Sequence, residues 1–219
     1  MHREPSLDSA EVDFFAEIQL LLSREQEPLP KRIRRICAVD AAYHRSNVVA
    51  VATEFTDGSM SEQSVYSGHF TFPYVSGLFY LHEGPSAVAA VRRLNEKPQL
   101  LCFDAHGAAH PRSAGLSTIC GMILGTPSIG VAKSPLTGRV VRRDGAHGMM
   151  LLHGRVVGIV TGFKHETRYW SPGYSVSMRK LKAIIHEHGA TCLDAMAESH
   201  RLAGQAIKSV AEAKTSIPR

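Results

Sequence analysis

The sequence predicts an α/β fold built on a mixed central sheet, with an antiparallel three-strand meander flanked by helices. Three observations lead there. The apolar run RICAVDAAY is followed by NVVAVATEF and SEQSVYSGHFTF, two β-branched and alternating segments separated by the turn signal Thr56-Asp57-Gly58. Beyond Pro73, stretches with helical spacing alternate with short β-rich runs. A chain of 219 residues, 44% of them hydrophobic, is also long enough for one well-buried core.

Residues 8–22 carry Val12, Phe14, Phe15, Ile18, Leu21 and Leu22 at helical spacing, with Asp8 placed to cap and Glu11 three residues on. This predicts an amphipathic N-terminal helix. REQEPLPKRIRR, with two prolines and the cations Lys31, Arg32, Arg34 and Arg35, reads as a linker into the first strand. Helical spacing then runs from Gly77 to Leu94, and Lys97-Pro98 stops it before the run QLLCFD. Residues 114–124 predict a helix, 128–132 a short buried strand, 148–162 a hairpin, and 175–188 and 195–213 two closing helices. No repeat or low-complexity tract is present, so residues 1–219 read as a single domain ending in a helical tail over about 190–219.

The formal net charge is +5 and the pI about 9.1, which favours polyanionic partners. The four cysteines are widely spaced and form neither a CxxC motif nor a disulfide framework, so they read as reduced core thiols. No apolar run approaches the roughly 20 residues that span a bilayer, and the N-terminus is charged where a secretory signal is greasy. A soluble cytoplasmic protein without membrane contact is expected. Nothing in the sequence marks a dimer interface, and a monomer is expected.

Asp40 interrupts an apolar strand, where an isolated buried carboxylate costs several kcal/mol unless paired or coordinated. Asp104 ends the run LLCFD and opens the loop AHGAAHPR, at the carboxyl end of a strand, where open α/β sheets gather ligands. Taken singly, each aspartate is equally well read as a strand-end cap or half of a buried ion pair. Glu83, early in the helix of GLFYLHEGPSAVAAV, is on a segment that the meander returns towards the first strand. Two or three carboxylates, with water and phosphate in the remaining positions, are what magnesium prefers, and such an ion serves phosphodiester cleavage. Among twelve histidines there is no HExxH or other zinc-ligand spacing.

AVDAAY, PYVSGLFYLHEGP, FDAHGAAHPR and SIGVAKSPLTG, in this order, resemble the motifs of the endonuclease V family. The resemblance covers roughly residues 33–173 and implies a ribonuclease H-like fold. It also implies a nuclease using Mg2+, with Mn2+ as substitute, that nicks inosine-containing DNA or RNA. The cut falls at the second phosphodiester bond 3′ to the lesion and leaves 3′-hydroxyl and 5′-phosphate ends. By position, Asp40, Glu83 and Asp104 match the acidic residues, with Asp40 and Asp104 as metal ligands, and Lys133 matches the lysine near the scissile phosphate. Tyr74 matches the aromatic wedge, and Gly77, Leu78 and Phe79 match the pocket for a flipped base. His110 and Arg112 fall in the motif AHPR, where phosphate-backbone contact is the expected duty. His106 lies in the same loop. Two departures stand out: Ala105 where many bacterial members have glycine, and Tyr174 where they have a histidine after Ser-Pro-Gly.

Two rival readings share this chemistry. One is a nucleic-acid-binding homologue with weakened turnover, for which Tyr174 would be the symptom. The other is a different ribonuclease H-like nuclease, such as a resolvase, which needs the acidic cluster but neither Tyr74 nor a glycine-lined pocket.

Overall fold

The computed structural model of the chain describes residues 9–22, 32–69, 72–144, 147–162 and 166–215. The three meander segments become β1 (Arg35–His44), β2 (Asn47–Thr56) and β3 (Ser59–His69). Asp57 and Gly58, with φ of 49° and 86°, make the β2–β3 turn in the left-handed region that the strand twist of a tight hairpin requires. Helix α2 (Phe79–Val91) leads to β4 (Leu100–Phe103), α3 (Leu116–Ile123) and β5 (Ser128–Ala132). Strands β6 (Arg139–Asp144), β7 (His147–Leu152), β8 (Arg155–Thr161) and β9 (Arg168–Pro172) follow, and α4 (Met178–Thr215) closes the chain. The N-terminal helix α1 spans Ser9–Leu22; the capping Asp8 and most of the linker, residues 23–31, lie outside the described residues.

All nine strands join one sheet in the order β3-β2-β1-β4-β5-β9-β8-β7-β6. β1, β4 and β5 run parallel and the remaining pairs are antiparallel, which is the expected mixed sheet and meander. The parallel strands are covered on both faces, so they read as unbroken apolar runs. Cys37, Val39, Leu101 and Phe103 point to the side covered by α2 and α3. Ile36, Ala38, Leu100 and Cys102 point to the side covered by α4, with Trp170, Leu181 and Ile184.

Three elements differ from expectation. The two closing helices are one helix of 38 residues, continuous through Gly189. A mid-helix glycine costs roughly 1 kcal/mol relative to alanine; here packing on the sheet outweighs it, since Gly189 is buried over the Trp170 ring. Strands β6 and β9 were not expected, because RVVRRD and RYWSP are short and carry charge or proline. Along α4, Ala195, Ser199 and Ala203 form a fully buried row of small side chains against the sheet, and Thr53 Oγ1 donates to the Ala195 carbonyl at 2.9 Å. No helix among the described residues is long and apolar enough to cross a membrane.

Candidate active site

The strand register explains why two distant aspartates meet. β1 and β4 pair in parallel up to Val39↔Phe103, so Asp40, midway along β1, and Asp104, just past the carboxyl end of β4, are the next residues on adjacent strands. At Asp104 the chain leaves the sheet through a tight turn, with the Ala105 N–H bonded to the Phe103 carbonyl at 2.7 Å. Ala105 has no left-handed backbone, so its side chain is accommodated without strain. Glu83 approaches from the opposite face of the sheet on α2. Pro85, two residues on, lacks an N–H for the Leu81 carbonyl, so this first stretch of helix is looser than the rest.

Glu83 is buried, and its carboxyl is raised to about 8, first by burial, then by the charges of Asp40 and Asp104; a hydrogen bond from Tyr43 Oη at 3.2 Å opposes this. The three carboxylates therefore sense one another. Each aspartate is met by a basic group: Lys133 Nζ lies 2.5 Å from Asp104 Oδ2, and His200 Nδ1 lies 2.5 Å from Asp40 Oδ2. Among the described residues, no three carboxylate, imidazole or thiolate groups draw close enough to form a closed ligand cage. Hard oxygen donors from two adjacent strands, with a third carboxyl held neutral first by burial and then by their charge, match the chemistry of a hard divalent cation.

His200 was missed by the sequence reading. It lies 160 residues from Asp40 on a helix with no motif around it, and only the path of α4 over β1 brings the two together.

Beside the carboxylates is a cavity of about 320 Å³, lined by Tyr74, Gly77, Phe79, Asp104, His106 and Lys133 among others. This is near the lower end of small-ligand sites, about 300–1,000 Å³, and suits one planar heterocycle. Tyr74 stands at its rim with 65% of its surface exposed, edge-on to Phe79 at 6.0 Å. The aromatic series continues through His82, stacked with Tyr43 at 4.9 Å, so the rim is connected by packed rings to the group that bonds Glu83.

Four expected site residues are placed differently. His110 is buried and its Nε2 meets the Gly77 carbonyl at 3.1 Å; burial and the adjacent Arg112 lower its pKa to about 4, so it is neutral and no phosphate ligand by charge. Arg112 also turns inward, donating from Nη2 to the Gly77 carbonyl at 2.5 Å and from Nε to Gln19 Oε1 at 2.7 Å. Both residues brace the pocket loop instead of reaching outward. Leu78 is in the core with its N–H bonded to the Val75 carbonyl, so neither its side chain nor its amide is free for a base. Tyr174 is buried, its carbonyl accepting from the Ser128 N–H and its N–H donating to Ser128 Oγ, at the start of β5, the end of that strand remote from Asp104. It is no substitute for a histidine at the carboxylates.

Gly77 has a φ of +79°, and a Cβ there would come within 2.8 Å of Arg112 Nη2. Gly77→Val therefore imposes backbone strain and displaces the bracing guanidinium, costing about 2 kcal/mol. The expected result is a Tm lower by roughly 4–8 °C, measured by calorimetry. An unchanged Tm would remove Gly77 from the pocket frame.

A family model for Endonuclease V matches residues 17–196. The chain is 34% identical over 179 residues to an Endonuclease V of Desulfurococcus amylolyticus, covering 80% of this chain and 77% of that one. It superposes on the crystal structure of the Endonuclease V of Streptomyces avermitilis with a TM-score of 0.80 and 26% identity, covering 95% and 96% of the two chains. The Ciona intestinalis Endonuclease V, crystallised with a 24mer DNA containing an inosine followed by a ribo-adenosine, shares the fold at a TM-score of 0.74 and 13% identity, covering 92% and 100%. With its ribonuclease H-like sheet and with Asp40 and Asp104 side by side on adjacent strands, this chain belongs to the endonuclease V family.

Proposed function

We propose that this protein nicks nucleic acid at deoxyinosine or inosine, at the second phosphodiester bond on the 3′ side, leaving 3′-hydroxyl and 5′-phosphate ends. The observation that carries the reading is a base-sized cavity lined by Asp104, the neighbour of Asp40 in the sheet, with an exposed aromatic ring at its rim. The whole chain acts as one unit and as a monomer in the cytoplasm, with DNA or RNA as partner.

Asp40 and Asp104 would hold Mg2+, or Mn2+ in its place, with Glu83 completing the site. When bound, the ion supplies Lewis acidity at the scissile phosphate. Lys133 exchanges its contact with Asp104 for the phosphate, where its charge stabilises the transition state. His200, with Nδ1 on Asp40, presents Nε2 to take the proton of the attacking water. Tyr74 wedges into the stack as the base leaves it, and the cavity receives the base.

A metal-dependent cleavage assay on inosine-containing and unmodified strands, single and double, tests this reading. Opening and unstacking a base costs on the order of a few kcal/mol, and a single strand has already met that cost. Tyr74→Ala is therefore expected to reduce cleavage of inosine in duplexes by about one to two decades more than in single strands. Equal cutting of modified and unmodified strands by the wild-type protein would replace the lesion-specific reading with a general nuclease.

A further inference from the structure

Two loops form the wall of the cavity next to the carboxylates. One leaves β4 as Asp104-Ala105-His106, and the other leaves β5 as Lys133-Ser134-Pro135-Leu136. Among the described residues, two polar links join them: the ion pair between Lys133 and Asp104, and a 2.9 Å hydrogen bond between His106 Nε2 and the Ser134 carbonyl. The two links differ in kind. Lys133 is 59% exposed, and an exposed ion pair holds a loop weakly. It is also given up whenever Asp104 turns to a cation and Lys133 to a phosphate.

The His106 link survives that exchange. His106 is buried, with a relative exposure of 9%. The acceptor is a carbonyl, so Nε2 carries the proton and donates, which leaves Nδ1 as a bare acceptor. Nδ1 is buried and without a hydrogen-bond partner. A buried acceptor left unmet lowers stability, so an apolar residue of similar size would suit the packing better. What the imidazole contributes is the bond to the next loop, at the residue adjoining Lys133.

The backbone around this link is closely fitted. Gly130, on β5, lies under the loop of His106, and a Cβ there would come within 2.3 Å of the Ala105 carbonyl oxygen. The Gly107 N–H is fixed on Ser171 Oγ at 2.9 Å, and the His106 carbonyl accepts from the Ser117 N–H at 3.3 Å. The His106 end of the bond is thus anchored in the fold on both sides. Residues 133–136 are exposed, and among the described residues the exchangeable ion pair is the other polar link between this loop and that of His106.

We infer that His106 is a positioning residue, a latch that holds the loop of Lys133 over the scissile phosphate once Asp104 has released the lysine. The inference rests on the proposed role of Lys133 and adds the group that keeps it in place. His106 also lines the cavity, but in this role it acts through the Ser134 carbonyl.

The test uses the full-length protein and inosine-containing single strands with Mg2+. His106→Ala is expected to lower kcat by about tenfold, with KM within about twofold, because the loop samples wrong positions without losing its charge. His106→Gln, whose amide nitrogen reaches nearly as far as Nε2, is expected to restore most of kcat. In the metal-free protein, amide hydrogen exchange over residues 134–136 should quicken in His106→Ala and return towards wild type in His106→Gln. The double variant His106→Ala with Lys133→Ala should cleave no more slowly than Lys133→Ala, since the latch acts through the lysine. Multiplying losses in the double variant, or unchanged exchange over residues 134–136 in His106→Ala, would overturn the latch while leaving Lys133 in its role. Wild-type cleavage by Lys133→Ala would overturn the role of Lys133 and the latch with it.

Discussion

Asp40→Asn and Asp104→Asn are each expected to lower cleavage by on the order of 10³-fold or more. Each removes a charged ligand at nearly constant volume, and a divalent ion contributes several kcal/mol of transition-state stabilisation. The fold should not suffer. Glu83 is neutral beside both aspartates, whose pairs with Lys133 and His200 rest on exposed partners, so neutralising either removes little stability from the metal-free protein and leaves Glu83 easier to ionise. The Tm without metal should therefore be nearly unchanged, while the rise in Tm on adding Mg2+ or Mn2+ should shrink. Cleavage near the wild-type rate in either variant would sink the metal assignment. A lower metal-free Tm would show that the aspartates are structural groups, paired with His200 and Lys133 for stability alone.

Lys133→Ala should separate chemistry from binding. A charge at the reacting phosphate is expected to contribute about 10²–10³ in kcat, as preorganised electrostatic groups do. The same side chain is one phosphate contact among several, so affinity for an uncleaved inosine strand should fall by less than about tenfold. The slope of log affinity against log salt concentration should fall by about one unit or less. Single-turnover cleavage and equilibrium binding on the same strand provide both numbers. A loss confined to affinity would move Lys133 from the reacting phosphate to the general binding surface.

Much of the fold was legible because the sheet centre is buried on both faces, and such strands announce themselves as apolar runs punctuated by one residue that does not belong. Asp40 and Asp104 were found in that way, and the parallel register of β1 and β4 then accounts for their adjacency. His110 and Arg112 are placed differently from expectation for an instructive reason. A basic residue in a nuclease motif invites a phosphate, but the carbonyl of a left-handed glycine needs donors too, and Gly77 takes both. The remote Gln19, which holds Arg112, belongs to α1, and no local signal links it to the pocket. β6 was obscured because its sequence RVVRRD places three arginines in six residues. His200 was illegible for a different reason: its significance depends on how high a helix rides over a sheet, which sequence spacing does not encode.

That height has a consequence of its own. Ala195, Ser199 and Ala203 occupy successive turns on the buried side of α4, and His200 adjoins the middle one. Side chains no larger than a methyl or hydroxymethyl group allow the helix axis to sit close to β1 and β2, within reach of the 2.5 Å contact to Asp40. The row works as a spacer gauge. It sets the gap between the His200 imidazole and the Asp40 carboxylate with residues that touch neither carboxylate nor ring. Variation along this row is thus a route by which rate could drift in related proteins while every reacting group stays the same.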